Sequence, residues 1–448
     1  MSNILTINDI PDYLQASELY RNIDSDDSFE VPDEYFKKEL VINTFKDFVE
    51  YIRIFDYWMI NKTPDEFYDW VFDNKDKINM DLLNDQFPMN HLINEIKIII
   101  EIPDNKLRSY FSLIGNLELL KYCHKKCSKY IPENDDKIVC SNAAKNGHLE
   151  CLKYAHENGY EWDGVDICKH AASNGHLECL KYAYENNRLL ECFKYVHEDG
   201  CEWYKVDICK YAAENGHLEC LKYAHENGCP WVSWTCKRAA ENGHLECLKY
   251  AHENGCPWVS WVCDSAAENG RLECLKYAHE NGCMWGYETC KRAAENGHLE
   301  CLKYAHENGC IWDSWVCKCA AENGHLECLK YAHENSCEWD EWTCKYAAQN
   351  GHLECLKYAH KNGCWWDLWV CHCAAESGHL ECLKYAHENG CEWDEDTCNT
   401  AAKNGHLECL KYAHENGCMW DKETCLIAAE SGQLECLKYA RENGCEWL

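Results

Sequence analysis

Residues 216–242 read GHLECLKYAHENGCPWVSWTCKRAAEN, and this stretch recurs with few changes through most of the chain. Its first glycine marks a unit of constant length, because the same residue returns 27 positions later at Gly243. A fixed period of about 20 to 50 residues indicates a tandem repeat array. The marker glycines are Gly216, Gly243, Gly270, Gly297, Gly324, Gly351, Gly378, Gly405 and Gly432.

The array begins upstream of this regular period. Gly147 and Gly175 are 28 residues apart, a half-length copy surrounds Arg188, and Gly115 opens a diverged copy that suits an N-terminal capping unit. We therefore predict about thirteen units over residues 111–448. Residues 1–110 contain no repeat and are predicted to form a separate, mainly helical domain.

Each unit is predicted to be a pair of short helices. Leu218 and Leu221 recur at helical spacing, so residues 217–227 should form an amphipathic helix, called here the Leu helix. After a short link, a second helix carries Ala239 and Ala240 on its buried side and is called here the Ala helix. Such short helices are marginal alone, so the pairs should stack into a solenoid. Aspartate N-caps are predicted at Asp340, Asp394 and Asp421.

The charge of the chain limits its partners. The formal net charge is -33, from 77 acidic and 44 basic residues, while 46% of residues are hydrophobic. This field repels the phosphates of nucleic acids and anionic lipid surfaces, so we expect no nucleic-acid or membrane partner. A basic protein is the partner that the net charge favours.

Nothing near the start of the sequence predicts export. Residues 1–11 lack a basic segment followed by an apolar stretch, and the apolar run at 96–102 contains Lys97 and Glu101. We therefore expect a soluble, cytoplasmic protein.

The series TCKRAAENGHLE at residues 235–246, followed by an apolar helix and then Asn254 and Gly255, is similar to the ankyrin repeat. In that family a Thr-Pro-Leu-His segment leads to Ala-Ala, then to Gly-His-Leu-Glu and Asn-Gly-Ala. An ankyrin repeat has about 33 residues, and those missing here fall between the end of one helix pair and the next Ala-Ala. In the family this stretch forms a β-hairpin finger. The resemblance thus implies an all-α, ankyrin-like solenoid that lacks these fingers.

The shortened unit, with its Cys and Trp pattern, looks like the ankyrin-type proteins of giant amoeba-infecting, mimivirus-like DNA viruses. This resemblance implies a host-cell cytoplasmic setting, the binding of host proteins, and no enzyme activity or cofactor.

The first 110 residues carry a net charge of -12, from 23 acidic and 11 basic residues. The segments 31–40 and 45–60, followed by Thr63 and Pro64, resemble the middle and later part of a BTB/Skp1-like fold. That resemblance implies recruitment of a cullin. The alternative is an unrelated helical capping domain.

Each unit also offers residues of the types that bind zinc, namely His217, Cys220, His225, Cys229 and Cys236. Ankyrin repeats have small apolar residues at the cysteine positions, and 33 of the 37 cysteines fall on them, which favours buried small hydrophobes and no metal. Equivalent cysteines of stacked units are roughly 8–10 Å apart, beyond the disulfide limit of about 7 Å between Cα atoms. Free thiols are expected, with pairs between non-equivalent positions left open.

One histidine recurs near the end of each Leu helix, where ankyrin repeats have an aliphatic residue. Two interpretations are open. The histidines titrate near neutrality, so that acid loosens the array, or they stay neutral and form hydrogen bonds along the stack. Its members are His225, His252, His279, His306, His333, His360, His387 and His414.

The few positions that differ among the copies predict where a partner binds. A tryptophan stands eighteen residues past the marker in five units, and a varied pair follows on the Ala helix. Tryptophan, tyrosine and arginine dominate interface energetics, so we expect a protein-binding groove on the concave side. The alternative is that this row packs beside an invariant row, Trp231 and its equivalents, which is predicted to be core. The predicted binding residues are Trp234, Trp261, Trp315, Trp342, Trp369, Arg238, Arg292 and Tyr346, with His372, Glu288, Asp396 and Glu423 at matching positions.

No set of nucleophile, base and orienting acid stands outside the repeat, and the Asn-Gly pairs are helix ends and not phosphate loops. We therefore expect no enzyme but a protein-binding scaffold. The alternatives are a cullin substrate adaptor and a purely structural or decoy array.

Overall fold

The computed structural model describes residues 106–127, 136–186, 207–420 and 422–445. It also describes single residues before them, at Tyr68, Val71, Ile96, Lys97, Ile99 and Ile102. The BTB/Skp1-like segment and the Asp421 cap therefore lie outside the described residues and stay predictions. The domain boundary at residue 110 also stays a prediction.

The described residues form helices and no β-strand, which confirms the predicted all-helical class without β-hairpin fingers. The helices before residue 190 are α1 (Leu107–Ile114), α2 (Leu117–Cys127), α3 (Asp136–Lys145), α4 (Leu149–Glu157), α5 (Gly164–Ser173) and α6 (Leu177–Glu185). The helices from residue 208 onward are α7 (Ile208–Glu214), α8 (Leu218–Glu226), α9 (Trp234–Asn242), α10 (Leu245–Glu253), α11 (Trp261–Glu268), α12 (Leu272–Glu280), α13 (Thr289–Glu295), α14 (Leu299–Glu307), α15 (Ser314–Glu322), α16 (Leu326–Glu334), α17 (Glu341–Gln349), α18 (Leu353–Lys361), α19 (Leu368–Glu376), α20 (Leu380–Glu388), α21 (Glu395–Asn404), α22 (Leu407–Glu415), α23 (Lys422–Glu430) and α24 (Leu434–Glu442).

The described residues fall into two compact bodies. One comprises residues 106–127, 136–171 and 178–186, and the other comprises 172–177, 207–420 and 422–445. None of the described helices is both long enough and apolar enough to cross a lipid bilayer.

From α7 onward, the odd-numbered Ala helices form one layer and the even-numbered Leu helices form another. Each Leu helix packs on the Ala helix that precedes it in the chain, α10 on α9 for example, so the two helices that pack as a pair come from successive units. The Ala helices of successive units approach each other more closely than the Leu helices do. The small, fully buried side chains of Ala239 and Ala240 allow this close approach in α9. The Ala helices therefore present a continuous surface from unit to unit.

The Leu helix is amphipathic, as its spacing predicts. In α10, Cys247, Leu248 and Ala251 are buried, while Glu246 and Lys249 form an ion pair of 2.8 Å on the outer side. A nine-residue helix is marginal alone, so burial between neighbours supplies most of its stability. Substituting the buried leucine would therefore affect more than one unit.

The Gly-His pair at the start of each unit joins that unit to the next. Gly216 ends α7 with φ of +76°, a conformation that glycine adopts without strain. A Cβ at this position would overlap the imidazole of His244 from the following unit. The histidine of the marker pair also reaches back, since the His217 Nε2 lies 3.2 Å from the Ser173 carbonyl oxygen. The motif thus serves packing between units.

The cysteines of the described residues are free and buried, which confirms their prediction as small hydrophobes. Burial raises the pKa of Cys220 to about 11. The link and Ala-helix cysteines meet in pairs of non-equivalent positions: a hydrogen bond with the Cys256 sulfur, together with burial, raises the pKa of Cys236. No cluster of three or more His, Cys, Asp or Glu side chains in the described ranges could hold a metal ion.

Candidate binding surface

The link between the two helices of a unit carries the first tryptophan row. The Trp312 indole stacks on His306, with ring centroids 3.7 Å apart, and the His306 Nδ1 lies 3.2 Å from the Tyr331 hydroxyl oxygen of the next unit. The same histidine–tyrosine contact recurs at His279, His360, His387 and His414. The interpretation of this row as histidines hydrogen-bonded along the stack is confirmed for these units.

The prediction that this first row is core is wrong, because Trp231, Trp258 and their described equivalents are only half-buried. The Trp231 Nε1–H donates to the Asn254 carbonyl oxygen of the next unit at 2.8 Å. That bond fixes the indole over the end of the following Leu helix, with one face on His225 and an edge in solvent. The first row therefore connects neighbouring units at their surface.

The second row stands on the outer face of the Ala helices and is far more exposed. We call Trp234, Trp261, Trp315, Trp342 and Trp369 the tryptophan stripe. Their exposed fractions range from 41% to 52%. They occupy equivalent positions near the start of α9, α11, α15, α17 and α19. Solvent thus reaches a large aromatic surface on the layer in which successive helices lie closest.

Lysine ammonium groups lie between the rings of the stripe. The Lys318 Nζ is 3.7 Å from the Trp315 ring centroid and 4.5 Å from that of Tyr346 on the next Ala helix. The Lys345 Nζ is 4.4 Å from the Trp342 centroid and 5.1 Å from that of Trp369. Each lysine thus makes one cation–π contact within its own unit and a second with the next unit.

One unit interrupts the stripe. Glu288 replaces the tryptophan at the start of α13, and Lys291 pairs with this carboxylate at 3.2 Å. On the preceding Ala helix, Asp264 replaces the lysine and accepts a hydrogen bond from the Thr289 hydroxyl at 2.5 Å. The interruption divides the stripe into a pair, Trp234 and Trp261, and a triad on α15, α17 and α19.

The two predicted arginines are held in ion pairs. Arg238 contacts Glu241 at 2.9 Å, and Arg292 contacts Glu288 at the same distance. Tyr346 stacks on Trp342, with ring centroids 5.9 Å apart, and so extends the aromatic triad. The structure thus brings Tyr346 together with the stripe. Arg292 lies on α13, in the interrupted unit, and Arg238 lies on α9, at the start of the stripe, so neither is part of the triad.

Sequence reasoning missed the lysines. Lys318 follows Trp315 by three residues, as Lys345 follows Trp342, which puts both members of each pair on one side of a helix. This spacing alone predicts the cation–π contacts within a unit. The contacts of Lys318 with Tyr346 and of Lys345 with Trp369 depend on how the units stack.

Models of known families match part of the array. A model described as ankyrin repeats (3 copies) matches residues 371–447, and one described as ankyrin repeats (many copies) matches residues 140–184 and 317–360. No curated protein matches the chain. Among solved structures, the crystal structure of the human ASB11 ankyrin repeat domain matches with 19% identity and a TM-score of 0.31, over 35% of this chain and 84% of that one.

Ankyrin repeats are generally non-catalytic modules of protein–protein interaction. The matched ranges lie before and within the regular period and include Trp342, whereas Trp315 and Trp369 each lie two residues before a matched range. Residues 140–184, 317–360 and 371–447 therefore match ankyrin repeats, here in an all-helical form whose period is 27 residues from Gly216 onward.

Proposed function

We propose that the array is a scaffold that binds a protein partner along the tryptophan stripe. The observation that supports this is the exposure of five tryptophans, 41% to 52% each, at one position of the Ala helices. Tryptophan supplies much of the energy of protein interfaces, and an aligned row of exposed indoles has no role in the core of a monomer. The triad on α15, α17 and α19, with Tyr346 beside it, is the centre of the proposed interface.

A selection experiment tests the proposal. Peptides from a library of natural protein fragments are selected on the full chain and then measured against the triple variant Trp315→Ala, Trp342→Ala, Trp369→Ala. Binding should be lost, because the variant removes the aromatic centre of the surface. Circular dichroism should show nearly unchanged helicity, because these side chains are half-exposed. Selected peptides that bind the triple variant as well as the unchanged chain would refute the proposal.

The chain offers a matched control close to the stripe. Trp365 is 66% exposed but lies in the link before α19 and not on an Ala helix. Trp365→Ala removes as large an exposed ring as Trp369→Ala, so it controls for nonspecific binding to exposed tryptophan. Binding should survive this change.

Two finer proposals follow from the resemblances. The similarity to arrays of giant amoeba-infecting viruses would make the partner a host protein, and the net charge of -33 favours a basic one at long range. A BTB/Skp1-like region in residues 1–110 would make the chain a cullin adaptor that holds its substrate on the array. Co-purification of a cullin that disappears when residues 1–110 are removed would support this role, and its absence would count against it.

A further inference from the structure

Three lysines of the Ala helices contact aromatic rings and have no carboxylate partner within the described part of the chain. These are Lys237, Lys318 and Lys345, whose ammonium groups contact only the rings of tryptophan or tyrosine. An ammonium group carries three hydrogen-bond donors, and an aromatic face accepts none of them as an oxygen would. These donors are therefore available to a bound partner.

The lysines of the Leu helices that follow α15 and α17 are different. Lys330 pairs with Glu327 at 2.7 Å, and Lys357 pairs with Glu354 at 2.7 Å. The same pair with the glutamate three residues earlier recurs along the Leu-helix layer, for example at Lys222, Lys249, Lys276, Lys303, Lys384 and Lys411. Lysine charge is thus neutralised on the Leu-helix side and left without a counter-charge in the tryptophan triad.

Desolvation decides what can cover the triad. A partner that buries the rings of Trp315 and Trp342 also removes water from Lys318 and Lys345, which lie against those rings. Burial of an unpaired charge is costly, whereas an opposite charge with hydrogen-bond acceptors compensates for it. A purely apolar or a basic segment would leave the two charges uncompensated. A segment with carboxylates would pair them.

The repeat also sets the spacing of these carboxylates. Lys318 and Lys345 occupy equivalent positions of successive Ala helices, and packed helices lie roughly 8–10 Å apart. A peptide in the polyproline II conformation advances about 3.1 Å per residue and completes one turn in three residues, so side chains three positions apart point in the same direction and lie about 9 Å apart. A peptide that crosses α15, α17 and α19 would therefore present a carboxylate to each lysine if its acidic residues were three positions apart.

We propose that the triad binds an acidic peptide in the polyproline II conformation whose Asp or Glu residues are three positions apart, with apolar residues between them that contact the indoles. This inference rests on the proposed function and specifies its ligand. The net charge of -33 opposes approach of such a peptide, but screening acts over about 8 Å at physiological salt, so the local lysines determine the contact.

Synthetic peptides provide the test on the full chain. One peptide carries two glutamates three residues apart, and a second has the same composition with the glutamates adjacent. A third has lysines in place of the glutamates, and a single-stranded oligonucleotide serves as a polyanion. Fluorescence anisotropy measures each affinity at low and physiological salt. The first peptide should bind best, and its affinity should fall as salt rises.

Paired lysine variants identify the contact. The variant Lys318→Gln, Lys345→Gln should lower the affinity for the first peptide about tenfold, which corresponds to the loss of two surface charge pairs. The matched control Lys330→Gln, Lys357→Gln removes two lysines from the Leu helices that follow α15 and α17 and should change the affinity less than twofold. Circular dichroism of both variants checks folding.

Several outcomes would overturn the inference. They are equal binding of the two glutamate peptides, tighter binding of the lysine peptide or the oligonucleotide, and an unchanged affinity in the Lys318→Gln, Lys345→Gln variant. If selected protein fragments still require the tryptophan triad in that case, the proposed function stands and only the acidic ligand is wrong. If no selected fragment requires the triad, the proposed function fails as well.

Discussion

The side chain that follows the stripe tryptophan is threonine in some units and valine in others, and its surroundings differ. The Thr343 hydroxyl oxygen is buried and has no hydrogen-bond partner. The Thr289 hydroxyl donates to Asp264, whose pKa burial raises. Valine already occupies this site at Val316 and Val370, so the packing accepts it.

Thr343→Val should therefore raise the free energy of unfolding by about 1 kcal/mol, because it removes a buried hydroxyl that no group satisfies. Thr289→Val should lower it by about 1–3 kcal/mol, because the Asp264 carboxylate loses its donor. Urea unfolding of the two variants measures the difference. An equal effect of both would show that the partner of the hydroxyl is irrelevant.

Sequence patterns predicted the stripe but only part of its chemistry. Variation among near-identical copies pointed to Trp315 and Trp342, which are indeed exposed. The error at Trp231 arose because invariance indicates a contact and does not distinguish a core contact from one between units at the surface. The ion pair of Arg292 with Glu268 required the positions of two helices, whereas its pair with Glu288, four residues earlier, follows from helical spacing.

At the scale of the helix, the aspartate caps differ although their sequences suggested equivalence. The Asp340 carboxylate accepts a hydrogen bond from the Trp342 backbone N–H at the start of α17. Asp394 holds the same extended conformation before α21, but its side chain makes no capping bond, and its Oδ1 is buried without a partner. The cap prediction is thus confirmed in full only for Asp340.

Asp340→Ala should cost about 0.5–2 kcal/mol of stability, the usual loss for a functioning N-cap. Asp394→Ala should cost less, since it removes no capping bond and relieves an unsatisfied buried oxygen. Thermal melts of the two variants, each compared with the unchanged chain, provide the measurement. A larger loss for Asp394→Ala would contradict this account of the caps.

For the whole array, stability depends on contacts between units. Leu302 is fully buried in α14. Leu302→Ala should lower the free energy of unfolding by about 2–5 kcal/mol and should loosen the neighbouring units, because each unit is stabilised by the ones beside it. Hydrogen exchange would locate the loosened helices.

Leu434→Ala is the matched control for this change. Leu434 opens α24 and is 74% exposed, so its loss should alter stability by no more than about 0.5 kcal/mol. Comparable losses in the two variants would mean that burial does not determine the effect.

The histidines at the starts of the Leu helices should make the array sensitive to acid. Burial lowers the pKa of His325, His352 and His379. Below about pH 6.5, the pKa of an unperturbed histidine, the unfolded chain therefore binds more protons than the folded array, and stability decreases as pH falls from there towards the folded-state pKa. The melting temperature should be lower at pH 5.5 than at pH 7.5.

A substitution that already occurs in the chain tests this assignment. Gln433 stands where most of the other units have this histidine. The variant His352→Gln, His379→Gln should show a smaller difference between the two melts, because two titrating groups are gone. An undiminished difference would assign the acid sensitivity to other groups.

The thiol-rich core has a practical consequence for following the array in solution. A reagent that alkylates only exposed sulfur would modify the buried cysteines of a unit when that unit opens. Trypsin would then release peptides such as residues 304–318 and 331–345, whose differing link sequences give each unit its own mass. Timed alkylation and mass spectrometry would therefore report the order in which the units open, without any added label.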